Sequence, residues 1–403
     1  MTTVIDTPSG LDEDPTAYLA LPRFNQTLDL DFELPGAETH TATVSYALTD
    51  APPDSPWPVV VFFNGLGGHR LIAAMIEGIA REHAVQILTL DKPGGGLSSL
   101  APAGVPLPLA LRTRWMHAAL LAVLSHLRIT RFAALSHSNG LFYALYTLLH
   151  LPPSVTATRW TLTGPFIPAS ISGALGLRLA AALPASLPNA LGSLLRVVPP
   201  VASAVSWSSG LLSLSAGLLS SPAAAATTDG APPTQEQEQE RQNRLPPHER
   251  GYMHRSVTTA CREAIMRQAM GESRAAMGQE ALLCLHGGDA APGGAAPDSV
   301  WGLGPGAFDA EILRGAFARL GEHYADDALR IHVVYGAADG LVPAKGRAWL
   351  REVLGSTGLI PELDPPAGTD GGAARWTEVP EAGHDDVLFL EEVVGGILGR
   401  VSG

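Results

Sequence analysis

The stretch RFAALSHSNG (131–140), running on into LFYALYTLLHL (141–151), decides how this chain is read. RFAAL is a short apolar run of strand type, and Gly140–Leu151 is apolar nearly all round, as a buried helix should be. Between them stands Ser138. A serine at a helix start is often only a cap. A serine on a sharp turn that joins a buried strand directly to a helix is different: its backbone is strained and its hydroxyl points away from the chain. The residues two positions either side must then be small, and here they are Ser136 and Gly140. The same small-x-Ser-x-Gly pattern recurs in SWSSG (206–210) and SLSAG (213–217), but both lie in a serine-rich helical stretch with no strand before them. Only Ser138 has the context a nucleophile needs.

Working outward, LDLDFEL (28–34) and VSYAL (44–48) alternate apolar and polar residues, the pattern of half-buried strands. VVVFF (59–63) is continuous and β-branched, a strand buried on both faces of a parallel sheet. A helical pattern over 69–83 leads to the strand QILTL (86–90), and the helix around 115–127 leads to RFAAL. RWTLT (159–163), IHVVY (331–335) and RWTEV (375–379) supply further strands. Such alternation predicts an α/β fold: a mainly parallel twisted sheet flanked by helices, with an inserted helical cap or lid. The expected division is an N-terminal extension (1–24), a core (25–168 and 306–403) and a lid insertion (169–305). Within the insertion, the tract TQEQEQERQNR (234–244) marks a disordered loop over 222–248.

Composition narrows the function. A formal charge of −13 argues against nucleic acid, and with only Lys92 and Lys345 there is no polybasic surface for membranes. Two cysteines, Cys261 and Cys284, make no disulfide scaffold and read as buried small hydrophobes. From Val197 to Thr228 there is no charge, enough length for a bilayer span. Pro199, Pro200 and the many serines there favour instead a lid that is buried or faces substrate, with membrane contact the lesser reading. The acidic N-terminal stretch has no apolar leader region, so a cytoplasmic location is expected.

The chemistry-bearing residues follow strand ends. Asn64-Gly65-Leu66-Gly67-Gly68 comes straight after VVVFF, where a glycine-rich turn can aim backbone N–H groups at Ser138. Leu66 and Asn139 are the expected donors to an oxyanion, with Gly65 and His137 beside them expected to touch substrate. A serine hydroxyl needs a base to take its proton and a carboxylate to orient that base. Asp339 in VVYGAADGLVP and His384 in EVPEAGHDDVLF each follow a strand, and chemistry gathers at that edge of open α/β sheets. Asp364 and Asp370 are rival acids in a Pro/Gly-rich excursion, less well fixed than Asp339. Lys92-Pro93-Gly94-Gly95-Gly96 lacks the ending of a phosphate loop, GLGPG (302–306) is no dinucleotide fingerprint, and no histidine spacing suggests a metal.

FFNGLGG, LTLDKPGGGLSS, LSHSNG, VVYGAADGLVP and EAGHDD, in this order, resemble the motifs of the α/β-hydrolase superfamily. The resemblance covers 25–168 and 306–403. It implies a serine hydrolase with Ser138 as nucleophile, Asp339 as acid and His384 as base, and a structural role for Asp91 in capping the turn next to the site. Ser136 replaces the usual first glycine of the elbow, and Asn64-Gly65 stands where many relatives have His-Gly. Carboxyl esters or thioesters with apolar or bulky acyl groups are the expected substrates, given an insertion rich in Leu, Val and Ala. No cofactor is implied, and the oligomeric state is left open. The alternative is an α/β-hydrolase-fold cyclase, lyase or binding module without net hydrolysis.

Overall fold

The computed structural model describes residues 14–33, 39–99, 109–174, 177–178, 181, 259–286, 310–325, 329–357, 376–380 and 382–402. In chain order the elements are α1 (Pro15–Leu19), β1 (Gln26–Glu33), β2 (Thr39–Leu48), β3 (Val59–Phe63), α2 (Ile72–Glu82), β4 (Gln86–Leu90), the two-residue β5 (Gly95–Gly96), α3 (Leu109–His126), β6 (Arg131–His137), α4 (Gly140–Leu149), β7 (Thr156–Thr163) and α5 (Ala169–Ser172). Then come α6 (Thr259–Gly271), β8 (Ser273–Arg274), α7 (Ala275–His286), α8 (Ala310–His323), β9 (Arg330–Gly336), α9 (Ala344–Ser356), β10 (Trp376–Val379), α10 (Asp386–Phe389) and α11 (Glu391–Ser402). The uncharged run 197–228, the loop 222–248, SWSSG, SLSAG, GLGPG, Asp364 and Asp370 all lie outside the described residues.

Eight strands form one sheet in the order β1-β2-β4-β3-β6-β7-β9-β10. β1 and β2 pair antiparallel, as do β2 and β4; from β4 onward every pairing is parallel. This is the α/β-hydrolase fold. All five residues of β3 are buried, as a strand covered on both faces by helices must be. The register aligns strand ends: Phe63 sits opposite Ser136, His137 opposite Thr163, Thr163 opposite Val334, and Gly336 opposite Val379. The turns that follow β3, β6, β7, β9 and β10 therefore meet along one edge.

Two apolar layers sandwich the sheet. On one face α3, α4 and α8 bring Trp115, Phe142 and Phe317 into one apolar layer with Trp160 of β7, and Phe317 stacks on that indole. On the other, α2 and α11 bury Ile76, Ile79, Val394 and Leu398. Within α4 every residue from Gly140 to Leu148 is buried, the central helix its composition predicts. No helix among the described residues is long and apolar enough to cross a membrane.

Two segments that fall outside the expected core pack against it. Tyr18, Leu19 and Phe24 fall in the expected extension 1–24, yet all three are buried in the second layer, and Tyr18 donates a hydrogen bond to the buried Glu77. Their local sequence is acidic and proline-rich, and only the distant partner reveals the docking. The second segment is α6–α7, which falls in the expected insertion. β8 pairs with β5, Gly95 opposite Arg274 and Gly96 opposite Ser273. Glu272, at the end of α6, receives Arg70 at 2.5 Å, while Arg70 also pairs with Asp91 at 2.8 Å. Buried ion pairs of this kind fix geometry, because removing one partner leaves an uncompensated charge.

Candidate active site

β6 runs straight into Ser138, whose φ of +50° places a non-glycine residue in the left-handed region. Such a conformation costs of order 1–2 kcal/mol and persists only where the surroundings hold it. Here the Ser138 N–H donates to Thr163 O at 3.1 Å, and the Ser138 carbonyl accepts from Leu141 and Phe166, each at 3.2 Å. Gly140 permits the tight return into α4: a Cβ there would lie 2.1 Å from Phe63 O and 2.9 Å from Asn64 O. Ser136 takes the other small position, and its hydroxyl is used, accepting from the Trp160 indole N–H at 2.9 Å.

The loop after β9 carries Asp339 and the loop after β10 carries His384, which meet with His384 Nδ1 2.8 Å from Asp339 Oδ2. Asp339 is 3% exposed and His384 7%. The second carboxylate oxygen of Asp339 accepts the Leu341 and Val342 N–H groups, each at 2.9 Å, so the acid is fixed by its own turn. Burial by itself would lower the His384 pKa, but the facing carboxylate overrides it and holds the group at about 9. Burial likewise works against the Asp339 carboxylate, and the histidine and the two amides keep its pKa below the ordinary value. His384 Nε2 is buried with no hydrogen-bond partner. It makes no hydrogen bond to Ser138, a contact that is commonly loose before substrate arrives. Gly164 follows β7 with φ +48°, and a Cβ there would stand 3.2 Å from His384 Nδ1, so the imidazole lies against the end of the strand beside the elbow.

The turn after β3 brushes the serine. A Cβ on Gly65 would lie 3.2 Å from Ser138 Cβ and 3.0 Å from His137 Cδ2. Among the described residues the backbone N–H groups of Leu66 and Asn139 donate to no protein acceptor. Asn64 turns away, its side-chain amide donating to Thr89 at 2.8 Å. His137, expected beside substrate, has both ring nitrogens turned to protein groups. Its Nδ1 faces Thr163 O and its Nε2 faces Asp385 Oδ1, both at 3.0 Å. Asp91 ties the loop base together, accepting from the Arg70 N–H and guanidinium and the Ser45 hydroxyl at 2.6–2.8 Å.

Sequence reading missed a buried polar cluster behind the elbow. Lys92 Nζ reaches Gly65 O at 2.9 Å, Asn139 Oδ1 at 3.0 Å and Glu280 Oε2 at 2.9 Å. Glu280, from α7, also receives Arg112 Nε at 2.8 Å, Asn139 Nδ2 at 2.9 Å and the Tyr143 hydroxyl. Burial penalises its charge, but Lys92 and Arg112 outweigh that and bring its pKa to about 2. Cys284 nearby is a free thiol whose pKa burial and Glu280 push up to about 12, consistent with an inert structural role. The one available signal was that Lys92 is among just two lysines in the chain and directly follows β4 and Asp91.

Among the described residues, two groups of side chains have metal-ligating atoms within 4.8 Å of one another: His137, His384 and Asp385, and His69, Asp91 and Glu272. In the second, Arg70 already supplies the positive charge to both carboxylates. In the first, His384 Nδ1 and His137 Nε2 are taken up by Asp339 and Asp385.

No family model matches the chain, and no curated protein matches it. Among solved structures it is similar to a hydrolase from Pseudomonas aeruginosa, at 16% identity and a TM-score of 0.47 over 94% of this chain and 99% of that one. A thermophilic esterase from Thermogutta terrifontis matches at 15% identity and a TM-score of 0.47, covering 93% and 97% of the two chains. A meta-cleavage product hydrolase from Pseudomonas fluorescens matches at 12% identity and a TM-score of 0.45, covering 89% and 93%.

Proposed function

We propose that this chain, whose fold is that of the α/β hydrolases, is a serine hydrolase that cleaves carboxyl esters or thioesters of apolar or bulky acyl groups. The observation that carries the reading is the buried His384–Asp339 pair at 2.8 Å, with an unpartnered Nε2, at the sheet edge where Ser138 holds its left-handed turn. Ser138 Oγ attacks the carbonyl carbon as its proton passes to His384 Nε2. Asp339 stabilises the imidazolium so formed and keeps the ring in the tautomer with Nδ1–H. The carbonyl oxygen, now an anion, takes the free N–H groups of Leu66 and Asn139. His384 returns the proton to the leaving alcohol or thiol, and the acyl group stays on Ser138. Water, deprotonated by the same histidine, then releases the acid.

Labelling with a fluorophosphonate probe tests this directly, with wild type beside Ser138→Ala and Ser208→Ala. Labelling lost only in Ser138→Ala supports an activated serine at the elbow. A folded wild type that takes no label would refute the reading and favour a binding module on the same fold.

A further inference from the structure

We infer that Lys92 is the positioning residue of the oxyanion-binding N–H groups, and that Glu280 of the insertion holds it in place. This rests on the hydrolase reading above and adds a residue to it. The three N–H bonds of the ammonium are all spoken for, by Gly65 O, Asn139 Oδ1 and Glu280 Oε2 at 2.9–3.0 Å. Two of these acceptors belong to the pieces that carry the oxyanion donors. Gly65 C=O and Leu66 N–H are the two ends of one planar trans peptide and point in opposite directions. Anchoring the oxygen on Lys92 therefore aims the N–H away from it, and the charge at the oxygen polarises the peptide and strengthens its donor.

The oxygen has no freedom to turn, since its second lone pair takes Gly68 N–H at 3.0 Å. On the other side, the Asn139 side chain is gripped at both atoms, its oxygen by Lys92 and its amide by Glu280. The residue whose backbone N–H starts α4 is thus locked from behind. Burial works to lower the Lys92 pKa and Glu280 opposes it; as an ammonium, Lys92 together with Arg112 outnumbers the one carboxylate of Glu280 in a buried setting, where a developing anion feels the excess most. Glu280 lies 188 residues from Lys92. The back of the oxyanion site is therefore completed by the insertion, and α7 is part of the catalytic unit rather than a movable cover.

The experiment compares wild type, Lys92→Met, Lys92→Arg, the double variant Lys92→Met/Glu280→Gln, and Glu77→Gln as a control that removes a buried carboxylate elsewhere. For each, kcat and KM on a p-nitrophenyl ester are measured with the inhibition constant of a trifluoromethyl ketone, whose adduct with the serine bears an oxyanion. Lys92→Met is expected to lower kcat about 100-fold with KM changed less than about threefold, and to weaken the ketone by the same factor as kcat/KM. Lys92→Arg should recover about a tenth or more of the loss, since a guanidinium can still donate to Gly65 O. Lys92→Met leaves Glu280 paired with Arg112, so it should remain folded; the double variant also takes the carboxylate from Arg112, so it should lose thermal midpoint while keeping the same kinetic defect. A folded Lys92→Met with wild-type kcat and ketone affinity overturns the inference while leaving the hydrolase reading intact, as does an equal loss in Glu77→Gln. A wild type that neither labels with fluorophosphonate nor turns over ester overturns both.

Discussion

Replacing Asp339 with asparagine separates the charge of the histidine's partner from its shape. In the wild type, burial works to lower the His384 pKa, and the carboxylate 2.8 Å away reverses this to hold it at about 9 against an ordinary 6.5. At about 1.4 kcal/mol per pKa unit, the folded state prefers the imidazolium by about 3 kcal/mol. A folded-state pKa above the unfolded value gives stability that is fully present below pH 6.5 and is lost as the pH rises through about 9. Activity runs the other way, because the base works only when neutral, so kcat/KM climbs with an inflection near pH 9. Wild type should thus lose thermal midpoint over the same window in which it gains rate. In Asp339→Asn the raising charge is gone and the burial remains. The inflection should fall below the ordinary 6.5, and the decline in midpoint between that pH and 9 should vanish. The plateau rate should drop by about 10³–10⁴, since nothing supports the imidazolium in the transition state. The assay is kcat/KM on a p-nitrophenyl ester and the thermal midpoint, both followed from about pH 6 to about pH 10. An inflection that stays put in Asp339→Asn refutes the electrostatic account of the pair.

Other expectations follow from single contacts. Gly140→Ala would drive a Cβ to 2.1 Å from Phe63 O, forcing α4 off β3. Urea unfolding should show a loss of about 3 kcal/mol or more, and a loss below about 0.5 kcal/mol would contradict the close approach. Ser138→Gly should be more stable than Ser138→Ala by about 1–2 kcal/mol, because only the first relieves the left-handed turn at φ +50°. Equal stabilities in chemical denaturation would argue against strain there. Arg70→Met leaves the Asp91 and Glu272 carboxylates facing each other, and should cost about 3–5 kcal/mol in the same assay. Along a series of p-nitrophenyl esters, medium acyl chains should outperform short ones, as the Leu- and Ala-rich insertion implies. A flat profile would remove the case for an apolar acyl site.

The strands that carry the site were legible because each is a continuous apolar run ending in a turn residue. VVVFF and RFAAL cannot be amphipathic surface segments, so the residues after them had to lie at a common sheet edge. That reasoning reaches Ser138, Asp339 and His384 without knowledge of their contacts, and the structure brings the last two into a hydrogen bond. It could not reach Lys92 and Glu280, whose partnership spans 188 residues and has no local signature. α8 and α9 were also unforeseen, although both flank the core. Gly321 and Gly346 interrupt their patterns, and their packing is read only from distant partners, α8 against α4 and α9 against α5 and α8. His137 is the opposite case, its position legible and its contacts not. Its place beside the serine suggests contact with substrate, but the sheet register puts it opposite Thr163, and Asp385 closes over its other nitrogen.

The fastening of α7 by Glu280 also sets a timetable for the newly made chain. Lys92 and Arg112 leave the ribosome 188 and 168 residues ahead of the carboxylate that neutralises them. At the usual pace of about 5–20 residues per second, Lys92 waits roughly ten to forty seconds for its counter-ion. During that interval, closing β3, β4 and β6 around the elbow would bury two cations without an anion, so the first half of the sheet is held open until α7 arrives. The sheet pairs β7 with β9 only later still, a non-local pairing of the kind that slows folding. Its β-branched strands are exposed in the meantime, and the expected consequence is a soluble yield that rises with added chaperone during expression.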